Sequence, residues 1–162
     1  MGRGFTKSEQ QLKPDPRFND KTLARFTNCL MLDGKKTAAQ RCVYGALDLI
    51  QERLEKDKVD DTNSIDVFRK AIENVKPNVE VRSRRVGGTN YQVPMQVNRK
   101  RQQSLAFRWI ITACRKTKGR PMHMKLAREL WDAYNKEGQA MNTRDQIHRM
   151  AEANKAFSHF AW

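Results

Sequence analysis

The side chains best equipped for chemistry in this 162-residue chain are basic, and they are unevenly placed. Lys and Arg number 32 against 18 Asp and Glu, a formal net charge of +14. Residues 77–125 hold 12 basic side chains and a single acid, Glu80, for a balance of +11. Residues 1–36 carry +4, residues 37–76 carry −1, and residues 126–162 are neutral. Charge needed only for solubility would not be concentrated in this way, so the pattern points to a polyanion-binding surface. Arg82, Arg84 and Arg85 lie beside the paired glycines Gly87 and Gly88, where backbone and ligand can approach closely. A guanidinium contacts phosphate with two parallel donors and also stacks on bases, which suits this cluster to a nucleic-acid backbone. Lys35 and Lys36 form a second, point-charge patch. Arg99, Lys100 and Arg101 form a third, and the run Arg115, Lys116, Lys118 and Arg120 a fourth. Tyr91, across the glycine turn, offers one ring face for stacking or for packing.

Catalytic patterns are missing. The sequence has no GxSxG, no HExxH and no Cys set with a His. Asp33-Gly34-Lys35-Lys36-Thr37 resembles the end of a phosphate-binding loop, but Cys29 stands where its first Gly belongs and Lys36 where its hydroxyl belongs. A nuclease would need clustered carboxylates for metal ions, and the basic block offers only Glu80. His123, His148 and His159 have no partners at metal-ligand spacing. Cys29, Cys42 and Cys114 form no CxxC pair and read as small hydrophobes inside helical patterns, with no disulfide framework. No enzyme, cofactor or metal is expected. No run approaches the ~18 apolar residues of a membrane span, and no apolar segment follows the N-terminus, so a membrane protein and a conventional secreted protein are not expected.

The elements that must hold these groups are mainly helical. Residues 1–19 contain Gly2, Gly4, Pro14 and Pro16 without period and read as a flexible basic arm. Its opening also fits the loose N-myristoylation pattern of Gly2 with Thr6, a match better explained by chance. Residues 20–162 are expected to form one domain. Asp20 opens a first helix with Leu23, Phe26 and Leu30 on one face, stopped near Gly34. A second runs from about Lys36 to Leu54 over Ala39, Val43, Ala46, Leu47, Ile50 and Leu54. A charged loop over 55–63 leads to Ser64, expected to cap a third helix with Ile65, Phe68, Ile72 and Val75 inward.

The period then changes from 3.6 to 2, predicting a β-hairpin at about 79–97 between helices three and four, with a turn over Gly87-Gly88-Thr89-Asn90. Pro94 marks the second strand as an edge. With no other strand to join, the hairpin must rest on helices or on a partner. Helix four, about 100–117, is apolar nearly all round, and Arg101, Arg108 and Arg115 make one narrow stripe at ~100° per residue. It should be the central, buried helix. Pro121 begins a fifth helix that carries Ala127, Leu130, Trp131 and Tyr134 and stops near Gly138. Thr143 and Gln146 suggest a capping box for a sixth, with Ile147, Met150, Ala151 and Phe157 inward, continuing towards Trp162. The expected fold is thus mainly α, a six-helix domain with one protruding β-hairpin.

Two kinds of binder fit these features: an RNA-binding structural protein of a large ribonucleoprotein, and an architectural DNA protein inserting a basic β-ribbon. The second usually needs a symmetric dimer. The apolar faces here suffice to close a monomer, so no homo-oligomer is expected and RNA is favoured.

Several segments carry a family resemblance. They are Leu12-Lys13-Pro14-Asp15-Pro16, Met31-Leu32-Asp33-Gly34-Lys35-Lys36, and Ala71-Ile72-Glu73-Asn74-Val75-Lys76-Pro77. The longest are Ser83-Arg84-Arg85-Val86-Gly87-Gly88-Thr89-Asn90-Tyr91-Gln92-Val93-Pro94 and Met150-Ala151-Glu152-Ala153-Asn154-Lys155-Ala156-Phe157. In this order they resemble the universal family of small-subunit ribosomal protein seven. The resemblance implies direct binding to the 3′ major domain of small-subunit rRNA, nucleation of head assembly, and a place by the exit-site tRNA and the mRNA exit channel. It implies proteins eleven and nine as neighbours, and a ribosome in the cytoplasm or in an organellar matrix or stroma. It would turn Lys35, Lys36, Arg82, Arg84, Arg85, Arg101, Arg115, Lys116 and Lys118 towards rRNA. The charge pattern adds Arg99, Arg108 and Arg120. Arg85, Gly87, Gly88 and Tyr91 would lie near the exit-site tRNA and mRNA. Family members usually begin with a denser basic arm than Met1 to Gln11, where Glu9 partly balances Arg3 and Lys7.

Overall fold

Asp20 begins the first helix as the sequence predicts. In the computed structural model, which describes residues 12–57 and 62–160, its carboxylate accepts from the backbone N–H of Thr22 at 2.6 Å and of Leu23 at 2.9 Å. That satisfies two of the orphan donors at the start of α1, Lys21–Leu30. The same carboxylate takes two N–H bonds from Arg69, so the cap also ties α1 to the third helix. Burial pushes its pKa up, but the Leu23, Arg69 and Thr22 donors together outweigh this and hold it below the usual carboxylate range.

Then follow α2, Lys36–Lys56, and α3, Ser64–Val75. The hairpin comes next, β1, Val79–Val86, and β2, Thr89–Gln96. The chain ends in α4, Arg99–Lys116, α5, Met122–Tyr134, α6, Gln139–Ala153, and a 3₁₀ segment, Lys155–Phe160. Among the described residues this is the expected mainly helical fold, with the hairpin between α3 and α4. Residues 1–11, most of the expected 55–63 loop (58–61) and residues 161–162, Trp162 included, lie outside the described residues. Of the expected arm, residues 12–19 are described and are held against α2. Asp15 is buried and accepts from Tyr44 Oη at 2.8 Å, and Arg17 pairs with Asp48 at 2.6 Å.

Every apolar residue predicted for the face of α2 is buried, as are Leu23, Phe26 and Leu30 of α1. Phe26 meets Phe68 of α3 and Phe107 of α4 edge-on, at centroid distances of 5.4 and 5.2 Å. Edge-to-face geometry of this kind adds to the area the rings bury. The seven buried residues of α4 include Leu105, Phe107, Ile110 and Cys114, while Ser104, Arg108, Thr112 and Arg115 stay exposed. The helix therefore reaches water along one stripe, as its sequence predicts. It does not hold the centre alone. α4 packs against α1, α3, α5 and α6, while α5 packs against α2, α3, α4 and α6.

Several local expectations are corrected. α1 ends at Leu30, before Gly34. Ser64 is the first residue of α3 and does not cap it with its side chain; its N–H instead donates to Gln51 Oε1 at 3.1 Å. Thr143 lies inside α6, where its hydroxyl donates to the Gln139 carbonyl, so the capping box does not form. α6 begins five residues earlier, at Gln139, because Glu129 of α5 accepts the Ala140 N–H at 2.7 Å and caps it from outside. It also ends at Ala153 rather than running on, and Met150 is 41% exposed rather than inward. Cys29 is exposed, unlike the buried Cys114.

Candidate nucleic-acid interface

The hairpin turn is tighter than predicted. Val86 pairs with Thr89, leaving only Gly87 and Gly88 in the loop, both at positive φ (57° and 87°). Positive φ at both loop positions is the mark of a type I′ turn, whose twist matches that of the strands. Alternation from the turn places Pro94 opposite Val81 in a non-hydrogen-bonded pair, so its missing N–H costs the ladder nothing.

The register also sorts the arginines. Arg82 and Arg84 share one face with their partners Val93 and Tyr91, while Arg85 and its partner Asn90 lie on the other. The three do not form one row. Tyr91 is half-buried against two rings of the C-terminal 3₁₀ segment, Phe157 at 5.0 Å and Phe160 at 5.3 Å. Its ring thus joins the hairpin to the C-terminus. The hairpin rests on α6 and this 3₁₀ segment, and at its root Asn78 N–H donates to His148 Nε2 at 3.2 Å.

From the hairpin the chain enters α4 through Asn98, whose side chain accepts the Arg101 N–H at 2.9 Å. Arg101 itself reaches back to β1, donating from Nε to Glu80 Oε2 at 3.0 Å. Arg82 Nε donates to the other oxygen, Oε1, at 2.6 Å. At the far end of α4, Arg115 donates to the Leu30 carbonyl of α1 at 3.2 Å. It lines one cavity of about 320 Å³ with Lys35, between the α1–α2 junction and the end of α4. Arg101 and Arg115 stand about 21 Å apart along the axis at 1.5 Å per residue. The α4 stripe therefore spans from the hairpin root to the Lys35–Lys36 patch, with exposed Arg108 between. Lys116, Lys118 and Arg120 are exposed beyond it, and Lys118 and Arg120 line a second cavity with Lys125 and Arg128.

Charge is arranged to leave this surface positive. The ion pairs Arg17–Asp48, Arg69–Asp66, Lys76–Glu73, Arg128–Asp132 and Arg144–Asp145 lie outside residues 77–125 or reach their acid outside them. Within that stretch the one acid, Glu80, is 8% exposed beneath Arg82 and Arg101. Arg85, Arg99, Arg108, Lys116, Lys118 and Arg120 are exposed and have no polar partner among the described residues. No three His, Cys, Asp or Glu side chains among the described residues gather as a metal site would require. The sequence did not single out Lys125, Arg128 or the role of Phe160, because only the folded path brings them beside the residues it did name.

Comparison with known proteins gives the family of the chain. The family model described as ribosomal protein S7p/S5e matches residues 2–155. A protein of Rhodopirellula baltica named small ribosomal subunit protein uS7 is 57% identical over 162 residues, covering 100% of both chains. Its namesake in Thermotoga maritima is 53% identical over 95% of this chain and 96% of its own. One from Colwellia psychrerythraea is 44% identical over the full length of both. On a match of this extent, the chain belongs to the ribosomal protein S7p/S5e family.

Proposed function

We propose that the protein is a structural component of the small ribosomal subunit that binds the 3′ major domain of its rRNA directly and nucleates assembly of the head. The observation that carries this reading is the α4 stripe, whose Arg101 and Arg115 stand about 21 Å apart on a rigid, apolar-packed helix that runs from the hairpin root towards the Lys35–Lys36 patch. Basic groups held at fixed separation position a protein on folded RNA by its backbone rather than by its bases. In this reading Arg84 and Arg85 grip phosphates on the two faces of the hairpin. The Gly87–Gly88 tip reaches the exit-site tRNA beside the mRNA exit channel, and ribosomal proteins eleven and nine lie alongside.

The test is a salt titration of binding to a transcript of the rRNA 3′ major domain, beside a DNA duplex and an unrelated structured RNA of equal length. A binder neutralising six to ten phosphates loses ~10³–10⁵ in affinity between low and moderate salt. A preference for the rRNA that survives rising salt is the expected result. Equal affinity for all three, lost together, would leave a non-specific polyanion binder. The double substitution Arg84→Ala, Arg85→Ala is expected to weaken rRNA binding and lower the salt slope by about 1–2. Binding by the folded double variant with an unchanged slope would remove the hairpin from the interface.

A further inference from the structure

Glu80 is anomalous. It is the one carboxylate in a 49-residue stretch otherwise given over to positive charge, and it sits at the root of the element most exposed to the proposed ligand. A surface selected only for its field would be better without it. Yet the residue is 8% exposed, and both its side-chain oxygens are occupied, Oε1 by Arg82 and Oε2 by Arg101 at 3.0 Å. Arg82 is two residues along β1, and Arg101 is in the first turn of α4, where Asn98 already pins its backbone N–H. The three residues thus form a clasp between the hairpin and the helix that carries the basic stripe. A buried carboxylate of this kind requires its partners, because losing either would strand a charge away from water.

We infer that Glu80 is a positioning residue for rRNA binding: its clasp on Arg82 and Arg101 fixes the angle of the hairpin relative to α4. This rests on the rRNA-binding reading above. The hairpin is a lever. Arg84 and Arg85 lie four and five residues from Glu80, about 13–17 Å out along an extended strand. A swing of about 15° at the root moves them by roughly 4 Å, more than a hydrogen bond to a phosphate tolerates. Two ties oppose such a swing on other sides, the Asn78–His148 hydrogen bond and the Tyr91–Phe157–Phe160 rings. Neither of them reaches α4. Glu80 joins the hairpin to the helix whose stripe shares the ligand, and the charges of Arg82 and Arg101 are partly spent on it.

The consequence runs against simple electrostatics. Glu80→Gln raises the formal net charge from +14 to +15. A field argument predicts tighter binding to RNA; the clasp predicts weaker binding. The experiment uses the full-length chain and the transcript of the rRNA 3′ major domain at fixed salt. It compares wild type, Glu80→Gln, Arg101→Ala and the double variant, each checked for native helicity. The expected result is a loss of tenfold or more for Glu80→Gln, and a double variant no worse than Arg101→Ala alone. Amide exchange should quicken in residues 79–96 of Glu80→Gln while residues 105–114 keep their protection. Unchanged or tighter binding by Glu80→Gln would overturn the inference, as would strictly additive losses. If wild type shows no preference for the rRNA transcript, the rRNA reading itself fails, and the exchange measurement still decides whether the clasp orders the hairpin.

Discussion

His148 illustrates how a single side chain can set the behaviour of a neighbouring element. Its Nε2 accepts the Asn78 N–H at 3.2 Å, so the ring must be neutral with its proton on Nδ1. Burial lowers its pKa below the usual histidine value of 6.5, Arg144 adds to the effect, and Asp145 opposes it. The folded chain therefore binds fewer protons here than the unfolded chain. The stabilisation is fully present above about pH 6.5 and is lost as pH falls through the lowered folded value. Urea unfolding between pH 7 and 5 is expected to show stability falling, with a shallower fall in His148→Gln, whose amide oxygen still accepts the bond. An identical pH dependence in the two proteins would show that His148 does not titrate against the hairpin root. No local pattern points to this bond, since 70 residues separate its partners. The same holds for Tyr91, whose ring is defined by Phe157 and Phe160 on a segment more than sixty residues away.

At the scale of elements, what is encoded locally was legible and what is supplied by another element was not. Asp20 caps α1 through N–H groups two and three residues on, and the α2 face repeats at helical spacing, so both can be read from the sequence alone. The start of α6 cannot. Thr143 and Gln146 offer a capping box at the wrong place, because the actual cap is Glu129, reaching across from α5 to the Ala140 N–H. The chain makes room for this at Gly138, whose φ of 94° and ψ of 173° lie in a region essentially reserved for glycine. A Cβ there would stand 3.2 Å from Glu129 Oε1 and 3.1 Å from Asp132 Cβ. Gly138→Ala is therefore expected to lower stability by about 1–3 kcal/mol and to expose the first turn of α6 to amide exchange. A variant as stable as wild type in urea would mean that the α5–α6 corner relaxes without cost. The arginine rows of the hairpin were hidden for a related reason. Alternation along one strand could be counted, but the two-residue loop that fixes the register became clear only with the pairing of Val86 to Thr89.

At the scale of the molecule, the basic surface and the apolar core are separate devices that meet along α4. The charge partition along the chain is already complete in the sequence, and the fold keeps it: locally paired acids on α3, α5 and α6, and a nearly acid-free hairpin and stripe. What the sequence could not show is how distance is held. That task falls to the rings of Phe26, Phe68 and Phe107, which lock α1, α3 and α4 edge to face beneath the stripe. Phe107 is 1% exposed, and Phe107→Ala should cost about 3–5 kcal/mol of stability through lost burial and the cavity left behind. Because the substitution touches no basic side chain, the number of phosphates neutralised should not change. The salt slope for the rRNA 3′ major domain is expected to match wild type, with affinity falling by a constant factor at every salt concentration. Measured well below the unfolding transition, a reduced slope in Phe107→Ala would show that the core sets how many basic groups reach the RNA. An unchanged slope with parallel, weaker binding would show that the core supplies the spacing and the surface supplies the charge.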